Sequence, residues 1–123
     1  MESLIIEARE DSPGIVFNPK DGIFEISHRS LPEDAMAFYA PVFAWLESYK
    51  SAPLAKSTFQ FKLEYFNTTS AKQIYKILCL LQEISKVASI EIKWYYQEED
   101  KDMRSAGERY SKLIELPFSI VAY

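Results

Sequence analysis

Asn67-Thr68-Thr69-Ser70 is the stretch of the chain with the densest polar chemistry, three consecutive hydroxyls after an amide, set between an alternating apolar run and a helical one. Hydroxyls at a strand-to-helix junction admit two chemistries. The first is local: Asn, Ser and Thr oxygens satisfy the orphan N–H groups of a helix's first turn, and Ser70 with Gln73 has the spacing of a capping box. The second is modification. Free N–H groups and the positive end of a helix dipole stabilise an added phosphate. A phosphothreonine would bring roughly −1.5 to −2 charge to an exposed edge, which can switch a binding surface without changing the fold. Lys72 and Lys76 follow one turn apart and serve either as solvated helix residues or as partners for a phosphate at Thr68.

The remaining candidates are sparse. His28 is the only histidine, so a multi-histidine metal site is excluded and a catalytic triad has no partners; it reads as a strand-end or surface residue. Cys79 is the single cysteine, which rules out an internal disulfide and places a structural thiol beside a helical apolar stripe rather than a nucleophile. Glu98-Glu99-Asp100 has the charge for a magnesium ion, but adjacent acids cannot all face one ion, and acids before a helix are favoured by its dipole. With three glycines, no glycine-rich phosphate loop can be written. No cofactor or metal is therefore expected. A net charge of −4 disfavours a broad nucleic-acid footprint. No apolar run has the length needed to span a bilayer. Glu2, Glu7, Glu10 and Asp11 are the wrong chemistry for a signal peptide, so a cytoplasmic protein without membrane insertion is the expectation.

These residues must be positioned by one domain over residues 1–123, since 123 residues with 48% hydrophobic composition suffice for a single core. Gly14 to Asn18, the reversal Pro19-Lys20-Asp21-Gly22, and Ile23 to His28 read as a hairpin. Ser30-Leu31-Pro32-Glu33 has the form of a capping box. Helical spacing follows at Ala35, Tyr39, Val42, Leu46 and Tyr49, with a kink expected at Pro41. Thr58 to Phe66 alternates as a strand, with Phe59, Phe61, Leu63 and Tyr65 on one side. The helix after Asn67 carries Ile74, Ile77, Leu78, Leu81 and Ile84 on its apolar stripe. Ile90, Ile92, Trp94 and Tyr96 mark another strand, and Met103, Ala106, Gly107, Tyr110 and Ile114 a third helix. Phe118 to Tyr123, after Pro117, forms a last strand. Leu4 to Ala8 admits an additional one. Strand–helix–strand units imply parallel pairing by right-handed crossovers. The clean alternation predicts one sheet face covered by helices and the other open. The helical layer should then receive Phe59, Phe61, Leu63, Tyr65, Ile90, Ile92, Trp94 and Tyr96, and Thr68 should lie accessible at the sheet's C-terminal edge.

The run Leu63-Glu64-Tyr65-Phe66-Asn67-Thr68-Thr69-Ser70-Ala71-Lys72 resembles the signature of the SiaC-type regulatory phosphoproteins of bacteria. The resemblance extends from about Pro13 to Ala122 through Gly22, Ser30-Leu31-Pro32-Glu33, Trp45-Leu46, Trp94-Tyr95-Tyr96, Ala106-Gly107-Glu108 and Leu116-Pro117-Phe118. It implies a small cytoplasmic partner-switch protein that is not an enzyme. A serine/threonine kinase would phosphorylate it on the threonine after the motif asparagine, here Thr68, and a PP2C-like phosphatase would reverse this. The unphosphorylated form would activate a diguanylate cyclase and so promote biofilm growth through cyclic diguanylate. Asn67, Thr68, Thr69, Ser70 and Lys72 would form the phospho-loop and partner contact. Thr69 stands where the family more often has Ser, which makes Thr69 and Ser70 competing acceptors. The family is similar in turn to STAS-type anti-sigma factor antagonists, implying an α/β, STAS-like two-layer fold with a mixed β-sheet, an N-terminal hairpin and three helices mostly on one face. Two other readings stand beside it: an anti-sigma-type antagonist that binds a histidine-kinase-like partner, and a small hydrolase or thiol enzyme using Cys79 or His28.

Overall fold

A computed structural model describes residues 1–123. The elements run β1 (Leu4–Ile6), β2 (Gly14–Asn18), β3 (Ile23–Ser30), α1 (Ala35–Ser51), β4 (Lys56–Phe66), α2 (Thr68–Ile84), β5 (Ser89–Tyr96), α3 (Lys101–Leu113) and β6 (Phe118–Ala122). Six strands form one sheet in chain order, antiparallel from β1 to β3 and parallel from β3 to β6. Each parallel step is made through one helix, as parallel pairing demands. The tight β2–β3 reversal needs a positive φ, and Gly22 supplies it at +70°.

The period-two residues of four strands enter one core with the helical stripes. Ile15, Phe17, Phe24, Ile26, Phe59, Phe61, Leu63, Ile90, Ile92 and Trp94 are buried together with Tyr39, Leu46, Ile74, Ile77, Leu81 and Met103. Gln60, Lys62, Glu91 and Lys93 lie on the other face, half-buried. Helices therefore cover one side of the sheet and the fold is mixed α/β. Aromatic packing concentrates at two places. Phe24 stacks on Phe59 at 4.6 Å beneath the Trp45–Tyr49 pair of α1. Trp94 stacks on Phe61 at 5.5 Å under α3. Such pairs add about 0.5–1.5 kcal/mol each beyond the area they bury.

Gly107 sets how closely α3 approaches the sheet: a Cβ there would lie 2.4 Å from Trp94 Cδ1. The Trp94 indole N–H in turn donates to the Met103 carbonyl at 3.0 Å, which pins helix and strand in one register. α1 runs unbroken through Pro41, which faces solvent, where the carbonyl it leaves unpaired can be hydrated.

Two local expectations are overturned. Ser30 does not cap α1. It ends β3, fully buried, and the cap is Asp34, whose carboxylate accepts from the Ala37 N–H at 3.1 Å. The buried bonds of Ser30 to Ser70 and Tyr39 hold it in the core in place of the Ser-x-x-Glu cap. Tyr65 does not face the helices either. The pairing of β3 with β4 shifts between His28 and Arg29, so that Leu63 opposes His28 while Tyr65 opposes Arg29. The extra residue, Glu64, reverses the alternation beyond it. Tyr65 becomes 47% exposed, and Phe66 turns inward against Trp94 and Tyr110 in its place. His28 carries the backbone consequence, with a φ of +73°.

Candidate functional site

Asn67 is the cap of α2. Its backbone is extended, with φ −88° and ψ 178°, and its side-chain oxygen accepts from the Ser70 N–H at 2.9 Å. The Ser70–Gln73 capping box expected from spacing is not formed, because the true cap lies three residues earlier and Ser70 is the third residue of the helix. The first bond along the backbone joins the Ala71 N–H to the Asn67 carbonyl at 2.9 Å. The N–H groups of Thr68 and Thr69 precede it and point out of the helix end, where the dipole is positive.

The three adjacent hydroxyls have three different surroundings. Thr68 is exposed, and its hydroxyl makes no hydrogen bond within the protein. Thr69 is exposed as well, but its hydroxyl donates to the Asn67 side-chain oxygen at 3.1 Å. Ser70 is fully buried and accepts from the Ser30 hydroxyl at 2.8 Å. Ser30 is also 2.6 Å from the Tyr39 hydroxyl of α1. As a competing phosphoacceptor Ser70 is therefore out of reach in the folded protein, whereas Thr68 and Thr69 are at the surface.

Every neighbouring element holds this turn. The Asn67 N–H donates to the Ser30 carbonyl at 3.1 Å, which ties it to the end of β3. The Tyr110 hydroxyl of α3 donates to the Ala71 carbonyl at 2.9 Å. The Tyr39–Ser30–Ser70 chain joins α1, β3 and α2 in the dry interior, where an unmade hydrogen bond is costly. Burial pushes both phenols up, Tyr39 to about 12 against the opposing bond from Ser30, and Tyr110 to about 12 against the nearby Arg109 charge. Thr68 thus sits on a braced helix end.

Around the turn the surface is mixed. Thr69, Lys72 and Gln73 of α2 face Glu33, Asp34 and Met36 across a groove between the starts of α2 and α1. Lys72 and Lys76 are both exposed, and Lys72 is the one beside Thr69. At the end of β3 the Arg29 guanidinium covers the turned-out Tyr65 ring at 5.6 Å. Tyr39, Tyr110 and Ser30 were not singled out from sequence as parts of the site. None of the three left a usable signal: Ser30 had the spacing of a helix cap, and the other two looked like ordinary members of apolar stripes.

The other candidates stay apart from this site. His28 is exposed, its Nδ1 2.8 Å from the Ser27 hydroxyl, on the open face. Cys79 is half-buried in mid-α2, one turn from the exposed Tyr75. Asp100 caps α3 by accepting from the Met103 N–H at 3.0 Å, while Glu98 and Glu99 remain in solvent. No helix is long and apolar enough to cross a membrane.

Comparison with known proteins finds the same fold and a family. Over its full length the chain is 24% identical, across 124 residues, to an uncharacterised protein of Pseudomonas aeruginosa strain UCBPP-PA14, covering 98% of that relative. It superposes on apo-SiaC from Pseudomonas aeruginosa with a TM-score of 0.89, at 24% identity, covering 99% of this chain and 100% of that one. A chain in the crystal structure of the diguanylate cyclase SiaD in complex with its activator SiaC, from the same organism, matches with a TM-score of 0.90 at 24% identity, covering 98% of this chain and 99% of that one. The profile of the SiaC family regulatory phosphoproteins matches residues 6–123, and the chain belongs to that family.

Proposed function

We propose that this chain is a non-enzymatic partner switch that binds and activates a diguanylate cyclase while Thr68 is unmodified. A serine/threonine kinase phosphorylates Thr68, and a PP2C-like phosphatase restores it. The whole chain, residues 1–123, acts as one cytoplasmic regulatory domain, and Asn67, Thr69 and Lys72 belong to the surface that meets its partners. The observation that carries the reading is the placement of Thr68: an exposed hydroxyl with no intramolecular hydrogen bond, on a helix N-terminus braced from three sides. Family membership and the cyclase partner of the Pseudomonas aeruginosa relative support it.

The physical logic follows from charge. Unmodified, the Asn67–Thr69 edge is neutral and can be covered by a partner at little desolvation cost. Phosphate adds roughly −1.5 to −2 charge, and burying it without built-in counter-charges costs several kcal/mol. Each 1.4 kcal/mol is tenfold in Kd, so a micromolar complex dissociates. The fold itself tolerates the phosphate, because free N–H groups and the helix dipole favour an anion there.

The test is calorimetric titration of the cognate cyclase with unmodified and stoichiometrically Thr68-phosphorylated protein, in parallel with cyclic diguanylate production. Binding and stimulation by the unmodified form, both lost on phosphorylation, is the expected result. Equal affinity for the two forms ends the switch reading.

A further inference from the structure

We infer that Asn67 selects the phosphoacceptor, directing phosphate to Thr68 by withholding Thr69; this rests on the phosphorylation reading above and specifies its selectivity. Thr68 and Thr69 carry the same chemical group, adjacent in the chain and both at the surface. Intrinsic reactivity therefore cannot separate them, and the difference lies in what each hydroxyl is already doing.

The Asn67 side-chain oxygen has two acceptor lone pairs. One takes the Ser70 N–H at 2.9 Å and the other the Thr69 hydroxyl at 3.1 Å, so both are used. Its amide oxygen is too weak a base to accept the proton outright. In the transfer, the threonine Oγ1 bonds to the γ-phosphorus of a nucleoside triphosphate. The bond from that phosphorus to the bridging oxygen breaks, the nucleoside diphosphate leaves, and the hydroxyl proton passes to a base on the kinase. Thr69 must first give up its bond to Asn67 and rotate its proton toward that base. Thr68 has no such bond to lose. The third hydroxyl, Ser70, is removed from competition by burial and by Ser30. Asn67 thus caps the helix and masks one neighbour with the same atom. A hydrogen bond of ordinary net strength corresponds to about a fivefold bias between the two threonines.

A cap that only stabilises the helix makes a different prediction from a cap that also masks. Glycine is nearly as good an N-cap as asparagine but has no side-chain acceptor. The experiment incubates wild type, Asn67→Gly and Asn67→Asp with ATP and a cytosolic extract of the organism that encodes the chain. Phosphate is then mapped by mass spectrometry, with circular dichroism establishing that each variant is folded. In wild type, phosphate is expected on Thr68. In Asn67→Gly the ratio of phospho-Thr69 to phospho-Thr68 should rise about fivefold, and Asn67→Asp, which keeps the acceptor, should hold the wild-type ratio. An unchanged ratio in Asn67→Gly, with Thr68 phosphorylated in wild type, overturns the selection role alone. Absence of phosphate from Thr68 in wild type overturns the phosphorylation reading and this inference together. Should Asn67→Gly be unfolded at the assay temperature, the same ratio is read in that variant at reduced temperature, where circular dichroism shows it folded.

Discussion

Replacing Gly107 by alanine should destabilise the protein and loosen the Asn67–Ser70 turn, although alanine is the better helix former. In an exposed helix the exchange would gain about 1 kcal/mol. Here the added Cβ falls 2.4 Å from Trp94 Cδ1, 2.8 Å from Nε1 and 2.9 Å from Cγ. Carbon pairs rest at roughly 3.5 Å or more, so ring and helix must separate by roughly 1.1 Å along the shortest contact. Neither side gives easily. Trp94 is fully buried, stacked on Phe61, and its N–H is bonded to the Met103 carbonyl. Overpacking of this kind costs about 1–3 kcal/mol, and loss of the buried indole bond about 1–3 kcal/mol more. Against the propensity gain, a net loss of about 1–5 kcal/mol is expected. α3 also carries Tyr110, whose hydroxyl holds the Ala71 carbonyl, so displacement of α3 should speed amide exchange at Ser70 and Ala71 more than in β2 and β3. Urea unfolding followed by tryptophan fluorescence measures the first effect, and hydrogen exchange the second. A midpoint equal to or above that of wild type would refute the argument from the Gly107–Trp94 contact.

Two further outcomes follow from buried phenols and backbone strain. Unfolded tyrosines ionise near pH 10 while folded Tyr39 and Tyr110 keep their protons to about 12, so stability is fully present below pH 10 and is lost as pH rises toward 12. Urea midpoints between pH 8 and 11.5 should fall by the equivalent of about 2 kcal/mol for each phenol, and a flat profile would contradict the burial of both phenols. His28→Gly should leave stability unchanged or raise it by up to about 1 kcal/mol, because His28 is exposed and holds a φ of +73°; His28→Val should lower it by about 1–2 kcal/mol, and thermal melts that rank the two the other way would show that the bulge tolerates any side chain.

The period-two residues Phe59, Phe61 and Leu63, the stripe Ile74–Ile77–Leu81, and the position of Asn67–Ser70 between them were legible from sequence. Each is a local regularity, set by where consecutive side chains must point once the backbone is a strand or a helix. The hairpin at Pro19–Gly22 was legible for the same reason. Local spacing failed where a polar residue had a distant alternative. Ser30 had the spacing of a cap but lies in the core against Tyr39 and Ser70, the latter 40 residues away. Ser70 had the spacing of a cap with Gln73, yet Asn67 holds that place. Tyr65 alternated with Leu63 in sequence but turned outward, because a register shift against β3 inserts one residue into the ladder. No pattern internal to β4 marks that shift, which exists only in the pairing. The candidate site divides along the same line. The amide and hydroxyl run at a helix start was written in consecutive residues. Which hydroxyl is free, which is held and which is buried depends on Ser30, Tyr39 and Tyr110, contributed by β3, α1 and α3. Hydrogen-bond partners of buried groups are chosen by proximity in space, and proximity in space is settled only when the sheet, its bulge and the three helices have closed around one core.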